Sequence, residues 1–191
     1  MIDARTPTSF GIRALGVLTL LAASVVAQAA DWKQQTGSTL SFSGTQQGEA
    51  FTGKFGSFTA NIHFDPAALA DASFDVSIDI TSADSANSER DETMLGAEFF
   101  DSKSFPKAQF TTSTFRQIAP GKFEADATLR IRDKTVAVKF PFSWTGDAQS
   151  AVLDAKVSLD RLAFGIGTGD WEDESSVGHN VDVNVHLKLQ Q

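Results

Sequence analysis

The sequence predicts an all-β fold: a single extended antiparallel up-and-down barrel of about eight strands, with a short helix in one long connection. Three observations predict it. Apolar residues recur at every second position over several stretches, which is the period of a strand with one buried face. These stretches run to about ten residues and follow one another through short turns, whereas sandwich strands usually run nearer five or six. Between residues 82 and 106 the alternation disappears altogether.

The chain opens with Arg5 and Arg13 ahead of an apolar run, Ala14 to Val26, that ends in Ala27-Gln28-Ala29-Ala30. This is the pattern of a cleaved secretory signal. The run of 13 residues falls short of the roughly 20 a membrane-spanning helix needs. Residues 1–30 are therefore read as a signal peptide and 31–191 as one exported domain, with the periplasm as its destination. No cysteine is present, so neither a disulfide nor a thiolate metal site contributes, and stability must come from apolar packing and backbone pairing.

Leu40 and Phe42 begin the first recognised strand. From Phe51 to Phe64 the apolar positions change from odd (Phe51, Phe55) to even (Phe58, Ile62, Phe64), which calls for a bulge or bend near Gly56. Phe74, Val76, Ile78 and Ile80 alternate with Asp75, Ser77, Asp79 and Thr81. The 82–106 connection carries Arg90, Asp91 and Glu92 ahead of Met94 and Leu95, a short helix able to cap the barrel. Ala108, Phe110 and Thr112 precede a second phase change at Phe115, and Pro120-Gly121 makes the next turn. Three further strands have inward phases led by Phe123, Val136 and Leu153, and Val181 to Leu189 forms the last.

Charge and motif content exclude several functions. Removing Arg5, Arg13 and Asp3 from 16 basic and 24 acidic residues leaves 14 against 23, a net charge of −9. Such a surface excludes nucleic acid as a partner and disfavours docking on anionic membrane by a basic patch. His63 and His186 fall on the polar phase of their strands, where they are expected to be solvent-exposed, and no metal-ligand spacing or nucleophile elbow is present. The acidic run Asp170, Glu172, Asp173 and Glu174 lacks the ligand spacing of a calcium loop and reads as solvated. Trp171 within it is either a lid or anchor at a barrel end or ordinary packing on the outside of the sheet. No enzyme and no cofactor are expected.

With 16 Phe, 3 Trp and no Tyr, the aromatic content lacks the phenolic handle that a buried Tyr brings. That suits a wall contacting hydrocarbon as well as it suits a dry core. Ala125, Ala127 and Ala155 on the inward phase are expected to leave room between the Phe rings, and an eight-stranded barrel is just wide enough to hold one small ligand.

Three segments, SERDETMLGAEFFDSKSFPKAQF at 88–110, ATLRIRDKTVAVKFPF at 127–142 and RLAFGIGTGDW at 161–171, resemble the YceI-like family of exported, lipocalin-like barrels. GKFGSFTANIHFDPAAL at 53–69 is similar to the same family's pattern, with Ala60 where Gly is usual. Asp133 and Ala137 also depart from it, at positions where Gly and Pro are common. The resemblance implies binding of a polyisoprenoid lipid, such as an isoprenoid quinone or a polyprenyl chain, in a long apolar lumen, and it brings no catalytic residue. The 161–171 segment is more similar to the branch that accompanies membrane cytochrome b561, which implies that protein as a partner. Arg90 and Asp91 are read as pairing with each other or with backbone at the helix start.

The candidate lumen residues follow from the inward phases. They are Phe42, Phe55, Phe58 and Ile62 in the first half of the barrel, then Val76 and Ile78. Met94, Leu95 and Phe99 come from the helical connection, and Phe110, Phe123, Leu129 and Val183 from the later strands. The alternative is a stress-response interaction module with a fully packed barrel, meeting its membrane partner through Trp171 and the acidic loop. Pairing through an edge strand is compatible with a homodimer.

Overall fold

The computed structural model describes residues 29–191, so residues 1–28 of the expected signal peptide lie outside the described residues, while Ala29 is buried and Ala30 opens the first strand. The strands are β1 (Ala30–Gln34), β2 (Thr39–Gln46), β3 (Glu49–Phe55), β4 (Phe58–Phe64), β5 (Ser73–Asp79), β6 (Ala83–Asp84), β7 (Lys107–Ala119), β8 (Lys122–Ile131), β9 (Lys134–Gly146), β10 (Ser150–Asp160) and β11 (Asn180–Gln190). All pairings are antiparallel. β1 and β2 run as one interrupted strand flanked by β11 on one side and by β4 and β3 on the other. β3 with β4, and β5 with β6, are likewise single strands broken by a bend. Counted this way, eight strands close into an up-and-down barrel, and β1 meets β11 at Lys33 opposite Gln190.

The expected bends fall where the phase changes put them. Gly56 lies in the break between β3 and β4, and its N–H donates to the Ser82 carbonyl. In β7 the register slips between Thr112 and Thr114, which returns Phe115 to the inside. The one α-helix among the described residues, α1 (Ser88–Leu95), starts where the Asn87 side chain accepts from the Arg90 N–H and carries Glu89 and Asp91 in its first turn. Two short strands carry no signal in the sequence, the two-residue β6 inside the non-alternating 82–106 connection and β1. β1 offers a single large apolar side chain, Trp32 between Asp31 and Lys33, too few to show a period.

One end of the barrel is filled. Phe64 has no exposed surface, and Phe74, Phe115, Phe123, Phe142 and Trp144 surround it with ring centroids 4.7 to 5.7 Å away. Trp32 closes this end, its ring edge-on to Trp144 and its Nε1 donating to the Phe64 carbonyl at 2.8 Å. Ala125, Ala127 and Ala155 do not open room here, which corrects the expectation from sequence. Ala125 stands between Phe115 and Phe140 on the neighbouring strands, Ala127 beside Val138, and Ala155 beside Phe142, so larger cross-strand side chains take the space.

His63 and His186 are half-buried and not simply solvent-exposed: each Nδ1 contacts a carboxylate, Asp31 at 2.7 Å and Asp154 at 2.6 Å. On the outer face Asp126 is gripped by Lys139, with Thr114 and Arg116 also contributing, and its pKa is pushed down to about 2. A carboxylate lowered in the folded state adds stability above its unfolded pKa and loses it as pH falls through the folded value. Asp126→Asn should therefore lower stability at neutral pH and flatten the acid limb between about pH 4 and pH 2, the two proteins converging below that range. Melting temperature recorded against pH for both proteins checks this; parallel acid limbs would contradict it.

Candidate functional site

The other end of the barrel is hollow. A cavity of about 200 Å³ runs from Leu153 and Phe140 at mid-height to Ile166 and Val177 beneath the covering loops. Its wall is aliphatic and phenylalanine throughout except for Arg161. Strand by strand, the inward phase supplies Leu40 and Phe42 from β2, Phe55 from β3, Phe58 and Ile62 from β4, Val76 and Ile78 from β5, and Phe110 from β7. Leu129 and Val183 face them from β8 and β11, while Met94 of α1 and Phe99 beyond it roof the space.

Two of the thirteen candidate residues lie elsewhere. Phe123 is inward but belongs to the filled end, stacked on Phe142 at 5.5 Å. Leu95 is half-buried and packs beside Phe42, Ala83 and Met94 without reaching the cavity, because Met94 takes the inward-facing position of that turn. The remaining eleven line the cavity. Phe100, Phe164, Ile166 and Val177 line it too, and all four lie in non-alternating segments that carry no strand signal.

Two arginines hold the covering loops. Arg161, 3 % exposed, donates to the carbonyls of Ile166 (2.7 Å), Val177 (2.9 Å), Gly178 (3.1 Å), Gly167 and Trp171. Burial lowers its pKa, with Asp160 and Glu172 opposing that shift. Five carbonyls that the irregular loop cannot satisfy within itself are thus met by one planar, multi-donor cation. Gly167 has φ +62, and a Cβ there would stand 2.6 Å from Arg161 Nη1, so only glycine allows this approach. Arg132, at φ 56 in the β8–β9 turn, donates to Phe99 at 2.9 Å and to Gly165 at 2.8 Å, tying that hairpin to both loops. Arg161 carries no periodic signal, and nothing within the 161–171 segment sets it apart from a surface cation.

Trp171 sits at this barrel end and not on the outside of the sheet. Its Nε1 donates to Glu98 at 2.8 Å, and its ring meets Phe99 at 5.4 Å, so it bridges the two covering loops. Arg90 and Asp91 do not pair with each other. Arg90 donates to Gln46 at 2.9 Å and lies over the Phe51 ring at 4.4 Å, while Asp91 accepts the Ser85 N–H. Asp173, in the acidic run, accepts from the Ser175 N–H within its own loop. Thr112 is satisfied by the Phe74 backbone. The lumen side chains thus offer shape and hydrocarbon contact, with no acid–base or nucleophilic pair.

The family model of the YceI-like domain matches residues 32–189. A UPF0312 protein of Vibrio cholerae is 27% identical over 187 residues, covering 93% of this chain and 96% of the relative. Among solved structures, Burkholderia cenocepacia BcnA superposes with a TM-score of 0.76 at 30% identity, over 79% of this chain and 95% of that one. A polyisoprenoid binding domain from Saccharophagus degradans, implicated in plant cell wall breakdown, superposes with a TM-score of 0.67 at 14% identity, over 86% and 99%.

Proposed function

Since the chain belongs to the YceI-like domain family, we propose that it is a periplasmic binding or carrier protein that holds a polyisoprenoid lipid, an isoprenoid quinone or a polyprenyl chain, in the hollow half of its barrel. One observation carries the reading: the cavity wall is hydrocarbon, and its single cation has its donors committed to backbone carbonyls. A ligand there gains from burial alone, at about 0.8 kcal/mol per CH₂, so an unbranched or methyl-branched chain suits it better than a polar metabolite. The shared fold with the S. degradans polyisoprenoid binding domain supports the same ligand class. At about 200 Å³ the space is smaller than the roughly 300–1,000 Å³ of a drug-sized site, which favours a slender chain over a bulky ring system.

The packed-barrel interaction module has less support, because only one half of the lumen is filled. A membrane cytochrome b561 as the donor or acceptor of the lipid is compatible with the carrier reading and rests on the similarity of residues 161–171 to that branch of the family. Native mass spectrometry of protein purified from its own source, followed by organic extraction, tests the proposal. A polyprenyl or quinone species in near-stoichiometric amount is the expected result. Protein that arrives empty and takes up no polyprenyl quinone in vitro would overturn it.

A further inference from the structure

Both ends of the lumen are obstructed, one by the aromatic plug around Phe64 and the other by loops that Arg161 and Arg132 bind to each other and to the β8–β9 turn. The wall between them has an interruption. β9 pairs with β8 from Lys134 to Ser143, and β10 pairs with β11 over its full length. β9 and β10 pair with each other only from Phe142 to Gly146, against Ala151 to Ala155. Above that point the two strands run side by side without a ladder.

The cause is Pro141. In the β9–β10 hairpin the Asp147 N–H donates to the Ser150 carbonyl, while the Trp144 N–H donates to Gly121 on the β8 side. Odd-numbered β9 residues therefore direct their backbone groups to β10 and even-numbered ones to β8. Continuing the register, residue 141 would donate to Lys156, and proline has no N–H to give. The ladder stops at that residue. The Ala137 and Lys139 N–H groups, next in the series, have no strand partner, and both residues are exposed.

The unpaired stretch opens onto the hollow half of the barrel. Val138 and Phe140 on β9 and Val157 and Leu159 on β10 all line the cavity. The apolar cluster of Phe164 and Ile166, against which Val136, Val138 and Leu159 pack, bounds the gap above, and Pro141 bounds it below. At roughly 3.3 Å per residue this leaves a slot about 10 Å tall. We propose that the β9–β10 seam above Pro141 is a lateral port through which an apolar chain slides into and out of the lumen, while the arginine-held loops stay closed. The proposal rests on the carrier reading for its ligand but not for its geometry.

Two measurements test it. Hydrogen exchange, which needs no ligand, should find the Ala137 and Lys139 amides exchanging at least tenfold faster than those of Ser143 and Thr145, their paired counterparts below Pro141. Equal protection would mean a closed seam and overturn the port. Lys139→Cys with Ser158→Cys places two thiols on the outer surface of an otherwise cysteine-free chain, on either side of the slot. Joining them with a short bis-maleimide should slow loading and release of a polyprenyl quinone at least tenfold, with equilibrium affinity within threefold of the unjoined pair. Unchanged rates in the joined protein would route the ligand through the loops and overturn the proposal. Fast exchange at Ala137 and Lys139 with no quinone bound by the unjoined protein would leave the open seam standing and sink the carrier reading, and with it the port's cargo.

Discussion

Arg161→Ala should lower the unfolding free energy by about 3–5 kcal/mol, the largest single-residue effect expected outside the aromatic plug. The guanidinium is the common partner of five carbonyls drawn from two stretches, 166–171 and 177–178, that outside the 3-10 turn Gly169–Trp171 have no regular structure. A bond from a charged donor contributes about 1.5–3 kcal/mol net, and alanine would leave several buried acceptors with nothing to accept from. Partial relaxation of the loop, which can let in water, keeps the total below the sum of five. Arg161→Lys should recover only part of the loss, because a compact ammonium with three donors cannot span the same set. Urea unfolding midpoints with matched slopes measure both. A loss under about 1 kcal/mol would mean that apolar packing alone holds the loops.

Val183→Trp should weaken binding of a polyprenyl quinone by about 100-fold and leave the fold intact. Val183 is the fourth residue of β11, opposite Val157 on one side and Phe42 on the other, and faces the cavity. An indole at this position would occupy a large part of about 200 Å³. Displacing three or four methylenes, at about 0.8 kcal/mol each, gives the stated factor. Because the new ring enters empty space, the overpacking penalty of roughly 1–3 kcal/mol seen in filled cores should be largely avoided. Titration of wild type and variant with the same quinone, alongside their melting temperatures, separates the two effects. Unchanged affinity at unchanged stability would place the ligand outside the lumen.

The barrel was legible because strands have a period of two and this chain obeys it: every inward phase from Phe74 to Leu189 is inward in the structure. The two breaks of phase, at Gly56 and after Thr112, are a bend and a register shift. What alternation cannot encode is height along the barrel axis. Phe123 and Leu129 share a strand and a phase, yet one lies in the plug and the other at the cavity, a distinction set by which neighbours face them across the sheet. The same gap misplaced the room expected beside Ala125 and Ala127, since the side chains that fill it, Phe115 and Phe140 beside one and Val138 beside the other, come from other strands. Arg161 and Phe164 were illegible for another reason: turns and irregular loops have no period, and a buried arginine on backbone carbonyls looks in sequence like any surface cation.

Closure by Lys33 against Gln190 bears on how such a barrel assembles. Almost every contact between neighbouring strands joins segments consecutive in the chain, so a curled sheet can grow hairpin by hairpin at low entropic cost. The last seam is different, for it unites the two ends and cannot form until all of β11 is available. Until then the sheet has two raw edges and one uncovered face rich in phenylalanine, the species most prone to self-association. Chains shortened within β11 should accordingly fail as aggregates rather than as soluble, partly folded monomers.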